Sequence, residues 1–248
     1  MLRIIAATDK GLVRELNEDR FAGEIFDPDC AYALVCDGMG GENAGSVASG
    51  IACEEIRRLM ESSLRRGMDE KSLYHLLEIA VSTANAMVYD KALQDPENMG
   101  GMGTTACLAV ISGETAYIAN VGDSRAYLLR GGELSRLTVD HTVVQLMLDN
   151  GEITPEQAED HQDRHYLTRA IGVEKDVEPA YGRTPLQSGD MLLLCSDGLY
   201  NMIPHGELAA LIRKAAAEDS GAVFPEAANA AGGRDNITAV LIIFEGGD

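Results

Sequence analysis

Thr104-Thr-Ala-Cys-Leu-Ala-Val-Ile111, Thr115-Ala-Tyr-Ile-Ala-Asn120, Arg125-Ala-Tyr-Leu-Leu129 and Glu133-Leu-Ser-Arg-Leu137 follow one another along one stretch of the chain. Each run is short, largely apolar and supplied with the β-branched and aromatic residues that suit a pleated surface. Ser112-Gly113-Glu114 and Arg130-Gly131-Gly132 read as hairpin connections between them. Strands joined so tightly run antiparallel, because a parallel crossover needs a much longer connection. Outward from this block, Leu2–Ala7, Asp19–Ile25 and Ala31–Cys36 also read as strands. Two helical stretches follow them. In the first, Val47, Ile51, Ile56, Leu59, Met60 and Leu64 share a broad face. In the second, Leu73, Leu76, Leu77, Ala80, Ala84, Met87 and Val88 keep the i, i+3, i+4, i+7 spacing. Downstream, Met191–Cys195 reads as a buried strand, Glu207–Ala217 and Pro225–Ala231 as helices, and Ile237–Phe244 as a closing strand. Hairpin strands with helices grouped in pairs predict an α+β fold rather than an alternating β-α-β one.

Composition narrows the function classes. The 248 residues contain 40 acidic and 20 basic side chains, for a formal charge of −20. That balance argues against nucleic-acid and anionic-membrane partners, which need a basic face, and it is compatible with cation binding. Cys30, Cys36, Cys53, Cys107 and Cys195 show no Cys-x-x-Cys spacing and fall mostly in apolar runs. They read as small buried hydrophobes in a reducing compartment rather than disulfides or zinc ligands. Cys195 could act as a nucleophile only with a basic partner beside it. Met1-Leu2-Arg3-Ile4-Ile5 carries no signal-peptide pattern, and no apolar stretch reaches the ~20 residues that span a bilayer. A cytoplasmic protein is expected.

Acidic residues stand beside glycine or asparagine in four separated places: Asn17-Glu18-Asp19, Cys36-Asp37-Gly38-Met39-Gly40-Gly41, Cys195-Ser196-Asp197-Gly198 and Gly233-Arg234-Asp235-Asn236. In the last three the Asp ends or begins an apolar strand-like run. A strand end is rigid, and the adjoining glycine lets backbone or a bound ion come close. A single Asp-Gly is usually an ordinary turn. Several such carboxylates gathered together would repel one another unless cations lay between them. Magnesium and manganese take oxygen ligands, commonly one or two carboxylates per ion plus waters. The set predicts a two-metal site.

The motifs, in order, are Thr8-Asp9-x-Gly11-x-Val13-Arg14-x-x-Asn17-Glu18-Asp19, Asp37-Gly38-Met39-Gly40-Gly41, Gly122-Asp123-Ser124-Arg125 and Leu167-Thr168-Arg169-Ala170-Ile171-Gly172. Ser188-Gly189-Asp190 with Cys195-Ser196-Asp197-Gly198-Leu199 and Gly233-x-Asp235-Asn236-Ile237-Thr238 complete the series. Together they resemble the bacterial branch of the metal-dependent protein phosphatase 2C (PPM) family. The resemblance runs from the first strand to the last. It implies one domain over residues 1–248, built as a β-sandwich of two antiparallel sheets flanked by pairs of α-helices in four αββα layers. It also implies a serine/threonine protein phosphatase with two tightly bound manganese or magnesium ions and a third, weaker one. A metal-bridged water would hydrolyse phosphoserine or phosphothreonine in protein substrates, among them a serine/threonine kinase whose action the enzyme would oppose. A monomer is expected.

By the same resemblance, Asp37 would bridge the two ions, with Asp197 and Asp235 completing one shell. Glu18 and the Gly38 carbonyl would serve the other, and Asp19 would support this set through hydrogen bonds. Asp123 would share the third ion with Asp197. Arg14 would clamp the substrate phosphate, since a planar guanidinium offers two parallel donors to phosphate oxygens.

The polar stretch from about residue 140 to 172 corresponds to the family's flap beside the metal site. Thr154 is placed to cap a short helix starting at Pro155. His141, His161 and His165 fit no common zinc spacing and read as solvated flap residues. Two positions depart from the family pattern. Met39 stands where many relatives outside the bacterial branch carry a His proposed to protonate the leaving alcohol, and Gly41 is followed by Glu42 where bacterial relatives often have His. Water is then the default proton source. Two alternatives use the same fold: a catalytically weak phosphoprotein-binding regulator, and a phosphatase of small phosphorylated metabolites.

Overall fold

β3 (Cys30–Cys36) is buried at every position, and its alternating side chains define the layers. Tyr32, Leu34 and Cys36 face an apolar cluster shared with two long helices. Ala31, Ala33 and Val35 face the opposite way, into a cluster between two sheets. β12 (Ile237–Phe244) repeats this logic in the other sheet. Its Val240, Ile242 and Phe244 join the inter-sheet cluster, while Ile237, Ala239, Leu241 and Ile243 pack beneath the C-terminal helices.

The computed structural model describes residues 1–40 and 43–246, with the side chain of Glu159 outside the description. The remaining strands are β1 (Leu2–Asp9), β2 (Arg20–Asp27), β4 (Gly38–Met39), β5 (Gly103–Thr104), β6 (Ala106–Ser112), β7 (Thr115–Val121), β8 (Arg125–Arg130), β9 (Glu133–Arg136), β10 (Ala180–Pro185) and β11 (Asp190–Cys195). One five-stranded sheet has the order β1-β12-β11-β8-β9 and the other β10-β7-β6-β3-β2, with β4 and β5 forming a small pair. The pairs are antiparallel. α1 (Ala44–Ser63) and α2 (Glu70–Gln94) cover the second sheet and are followed by the short α3 (Pro96–Met99). α4 (Val143–Asp149) and α5 (Pro155–Glu159) lie in the flap stretch. After the single turn α6 (Asp197–Tyr200), α7 (His205–Glu218) and α8 (Val223–Ala230) cover the first sheet through Leu208, Ile212, Val223 and Phe224. The layers are helix, sheet, sheet, helix, as expected.

Several expectations need adjustment. The run Thr104–Ile111 is two strands, because the chain bends at Thr105: its N–H donates to Asp37 O at 2.8 Å and its hydroxyl accepts from Asp37 N at 2.9 Å. β10 was not anticipated. It is an edge strand whose residues alternate between half-buried and exposed and which contains Gly182 and Pro185. α4 was also missed in the polar stretch, although Thr142 caps it by accepting from Gln145 N. The cap at Thr154 forms as anticipated, with Gln157 completing a capping box. Among the described residues no helix is long and apolar enough to cross a membrane.

Candidate active site

The acidic residues come together at the ends of strands from both sheets. Asp37 follows β3, Asp123 follows β7, Asp197 follows β11, Asp235 precedes β12, and Glu18 lies in the β1–β2 connection. Glu18, Asp37, Gly38, Asp123, Asp197 and Asp235 all line one cavity of about 420 Å³, together with Arg14, Met39, Gly40, Thr105, His165, Leu167 and Asn236.

Asp37 is the most firmly placed of them. Its N–H donates to the Thr105 hydroxyl, and its carbonyl accepts from Thr105 N and the Thr104 hydroxyl. Burial, and then the charges of Asp19, Asp197, Asp123 and Asp235, push its carboxyl well above the usual carboxylate range. Gly38 cannot be replaced by a larger residue, because a Cβ there would lie 2.2 Å from Gly45 O and 2.7 Å from Glu18 O. Glu18 stands at the start of α1, where its Oε1 accepts from Ser46 N at 3.1 Å. It thereby supplies the acceptor that α1 lacks, since Asn43 makes no side-chain capping bond.

Asp19 lies behind the cavity and does not line it. It is buried, and its Oδ2 accepts from the Ser196 hydroxyl at 2.7 Å. Its Oδ1 has no hydrogen-bond partner among the described residues. Burial raises its pKa to about 7 against the pull of Ser196. Asp123 is pushed up to about 7 by burial and then by the charges of Asp197 and Asp140. Tyr200 holds it by donating to its carbonyl at 3.0 Å, with the Arg125 guanidinium stacked on the Tyr200 ring. Asp197 Oδ2 accepts from Asn201 Nδ2 at 3.0 Å and stands 3.7 Å from His165 Nδ1. Asp235 Oδ2 is paired with Arg14 at 2.7 Å. Among the described residues no three His, Cys, Asp or Glu side chains converge into a ready-made chelate. The carboxylates instead surround open space and lean on separate protein partners.

Sequence reasoning passed over several residues that build this site. Asn236 donates to Lys10 O and Leu16 O at 2.9 and 2.8 Å and accepts from Glu18 N at 2.8 Å, so it fastens the Arg14–Glu18 segment to the Asp235 loop. Ser196 and Thr105 place Asp19 and Asp37. Asn236 stood inside a quoted motif, whereas Thr105 gave no local signal. The histidines separate. His165 is exposed and lines the cavity, and His161 is half-buried with Nδ1 accepting from Asp163 N. His141 corrects the solvated-flap expectation: it is buried and accepts from Gly122 N at 3.2 Å, and burial lowers its pKa. Cys195 is fully buried and its thiol is pushed up to about 12, which leaves it inert. Glu42 lies outside the described residues.

A second cavity, of about 610 Å³, shares Asp123 and His165 with the first and runs between α4–α5 and the α6–α7 segment.

Comparison with known proteins gives one consistent result. The family model described as "Protein phosphatase 2C" matches residues 13–241. The serine/threonine phosphatase stp of Listeria welshimeri is 38% identical over 239 residues, which is 95% of this chain and 93% of that protein. The crystal structure of the Mycobacterium tuberculosis serine/threonine phosphatase PstP/Ppp superposes with a TM-score of 0.88 at 35% identity, covering 99% of both chains. A structure of the PstP catalytic domain in complex with two manganese ions gives a TM-score of 0.86 at 33% identity over 99% of both chains. Motif order, sandwich topology and matches over nearly the whole length agree, and the chain belongs to the protein phosphatase 2C family.

Proposed function

We propose that this chain hydrolyses phosphoserine and phosphothreonine in proteins, using two manganese or magnesium ions held in the 420 Å³ cavity. One observation carries the reading. Carboxylates from the ends of strands in both sheets surround one space, and burial and mutual repulsion raise the pKa of Asp37 and Asp123. Protein partners alone leave that negative charge under-compensated, and hard cations are the natural complement for an all-oxygen donor set.

Glu18, Asp37, the Gly38 carbonyl, Asp197 and Asp235 are the residues that would hold the ion pair. Asp123 would serve a third ion, and Asp19 would brace the set through Ser196. When bound, such a pair lowers the pKa of a water and screens the charge of the phosphate it attacks. The chain's own residues do the rest. The backbone clamp on Asp37 fixes the centre of the site. Arg14 is half-exposed at the cavity rim and can exchange Asp235 for two oxygens of a phosphate monoester. Met39 lines the cavity and carries no transferable proton, which leaves water as the default source of the proton for the leaving alkoxide. Residues 1–248 act as one domain with a flap at about 140–172. A monomeric state, a cytoplasmic location and serine/threonine-kinase substrates belong to the same reading.

The test is phosphate release from a phosphothreonine peptide with manganese, with chelator as control. Asp197→Ala should reduce the rate nearly to background. Wild-type rates in that variant, or rates indifferent to chelator, would refute the assignment. Faster turnover of sugar phosphates than of phosphopeptides would favour the small-metabolite alternative, and tight phosphopeptide binding without turnover the regulator.

A further inference from the structure

The β1–β2 connection displays Leu12, Val13 and Leu16 with 68%, 65% and 47% of their area exposed. Single exposed apolar residues are ordinary on a surface, but three within five positions are not scattered. Looseness does not explain them. Leu12 N donates to Gly233 O at 2.8 Å, Gly11 N donates to Asp9 Oδ1 at 2.8 Å, and Asn236 Nδ2 holds both Lys10 O and Leu16 O. The backbone is therefore fastened on both sides of the trio. Arg14 lies between Val13 and Leu16 in sequence and lines the catalytic cavity, so the loop that displays the trio also borders the cavity. The surrounding charge is mixed: Lys10, Arg14 and Glu15 are exposed in the same loop and Arg234 beside it, while Glu18, Asp37, Asp197 and Asp235 line the cavity. Apolar contact is the attraction that the trio itself offers to a polypeptide.

We infer that Leu12, Val13 and Leu16 form a shelf receiving a large aliphatic or aromatic side chain of the substrate polypeptide next to its phosphorylated serine or threonine. The inference rests on the phosphatase reading of the cavity. A substrate segment is the occupant because the loop that carries the shelf also lines the cavity that takes the phosphoryl group. A second copy of this chain would bring its net charge of −20 against another of −20. The shelf also sets a specificity: apolar neighbours of the phosphoresidue are favoured.

The experiment compares phosphothreonine peptides that differ at one flanking position. Leu, Ala or Glu is placed in turn at the two residues before and the two after the phosphothreonine, and kcat/KM is measured with manganese. Covering one face of a leucine is worth about tenfold. Leu should exceed Ala by about that factor at one flanking position or more, and should exceed Glu there as well. In the Leu12→Ser/Val13→Ser double variant the Leu-to-Ala ratio should drop below about twofold. A merely structural disturbance would slow the Leu and Ala peptides alike. A ratio that stays at its wild-type value therefore overturns the inference, as does a wild-type enzyme indifferent to its flanking residues. No phosphate release from any peptide refutes the phosphatase reading itself and the shelf with it. Sedimentation of the same samples tests the other occupant: a wild-type dimer that becomes monomeric in the double variant, with peptide preference unaltered, assigns the shelf to self-association and overturns the inference.

Discussion

Asn236→Ala should loosen the segment bearing Arg14 and Glu18 while leaving both side chains in place. The Asn236 amide is 6% exposed and makes three hydrogen bonds into that segment, to Lys10 O, Leu16 O and Glu18 N, at 2.8–2.9 Å. A net hydrogen bond is worth about 1 kcal/mol, and a buried polar group left unpaired costs about 1–3 kcal/mol. Water entering from the adjoining cavity would satisfy part of what is lost, so the expected destabilisation is about 2–3 kcal/mol. Urea unfolding followed by circular dichroism measures this as a shift in midpoint at constant slope. Hydrogen exchange at Leu12 and Glu18 locates it, since their amides bond to Gly233 O and Asn236 Oδ1. Asn236→Asp sharpens the argument. It keeps the shape and the acceptor for Glu18 N, but turns a donor into a carboxylate oxygen facing two carbonyls. It should cost at least as much as the alanine. A loss below about 1 kcal/mol in both variants, with Leu12 and Glu18 protection unchanged, would refute the account of how this loop is held.

Arg14→Ala should lower kcat/KM for phosphopeptides by about 1.5–3 kcal/mol, mostly through KM, since hydrogen bonds to charged groups carry that weight; an unchanged value would return Arg14 to a surface role. Gly172→Ala should destabilise by about 2–4 kcal/mol, because its φ is +88° and a Cβ would lie 2.1 Å from Val88 Cγ1. Val88→Ala should recover part of that loss in the double variant, and strict additivity would show that the contact is not the cause. Burial, and then the charge of Arg169, holds the His141 pKa below its ordinary 6.5. The unfolded chain therefore binds a proton below that pH which the folded chain resists, and stability falls as pH drops from about 6.5 towards the folded-state value. The advantage of wild type over His141→Asn should shrink across that window, and a difference that is flat with pH would count against a buried neutral imidazole.

The hairpins from Ala106 to Arg136 were legible because turn residues and apolar runs are local signals. The long amphipathic helices were legible for the same reason, since periodicity needs no partner to be seen. The neighbours of each strand were not, because β1 pairs with β12 and β11 with β8 across long intervals. β10 escaped because an edge strand with a glycine and a proline looks like a loop. The acidic set could be read through the glycines beside it, and the structure places Asp37, Asp123, Asp197 and Asp235 around one cavity with Glu18. The residues that orient the set could not be read. Thr105, Ser196 and Asn236 act across 68, 177 and 218 residues on Asp37, Asp19 and Glu18, and even where Ser196 and Asn236 stand inside quoted motifs nothing local marks what they hold. The burial of His141 was hidden for a related reason, since the Gly122 amide that needs its ring nitrogen lies 19 residues earlier.

The ladder between β1 and β12 runs from Leu2 opposite Phe244 to Asp9 opposite Ile237. That single pairing sets Arg14 against Asp235 and Glu18 against Asn236. A ribosome-bound chain that has emerged only through α8 already contains Asp37, Asp123 and Asp197, yet the loop after β1 lacks the bonds that Gly233, Asp235 and Asn236 give it. Such a nascent chain should lack phosphatase activity until β12 is released. β1 and β11 would meanwhile stand as open edges, the kind of strand that recruits other chains. The interval before β12 docks is therefore the one in which a translating chain most needs a chaperone.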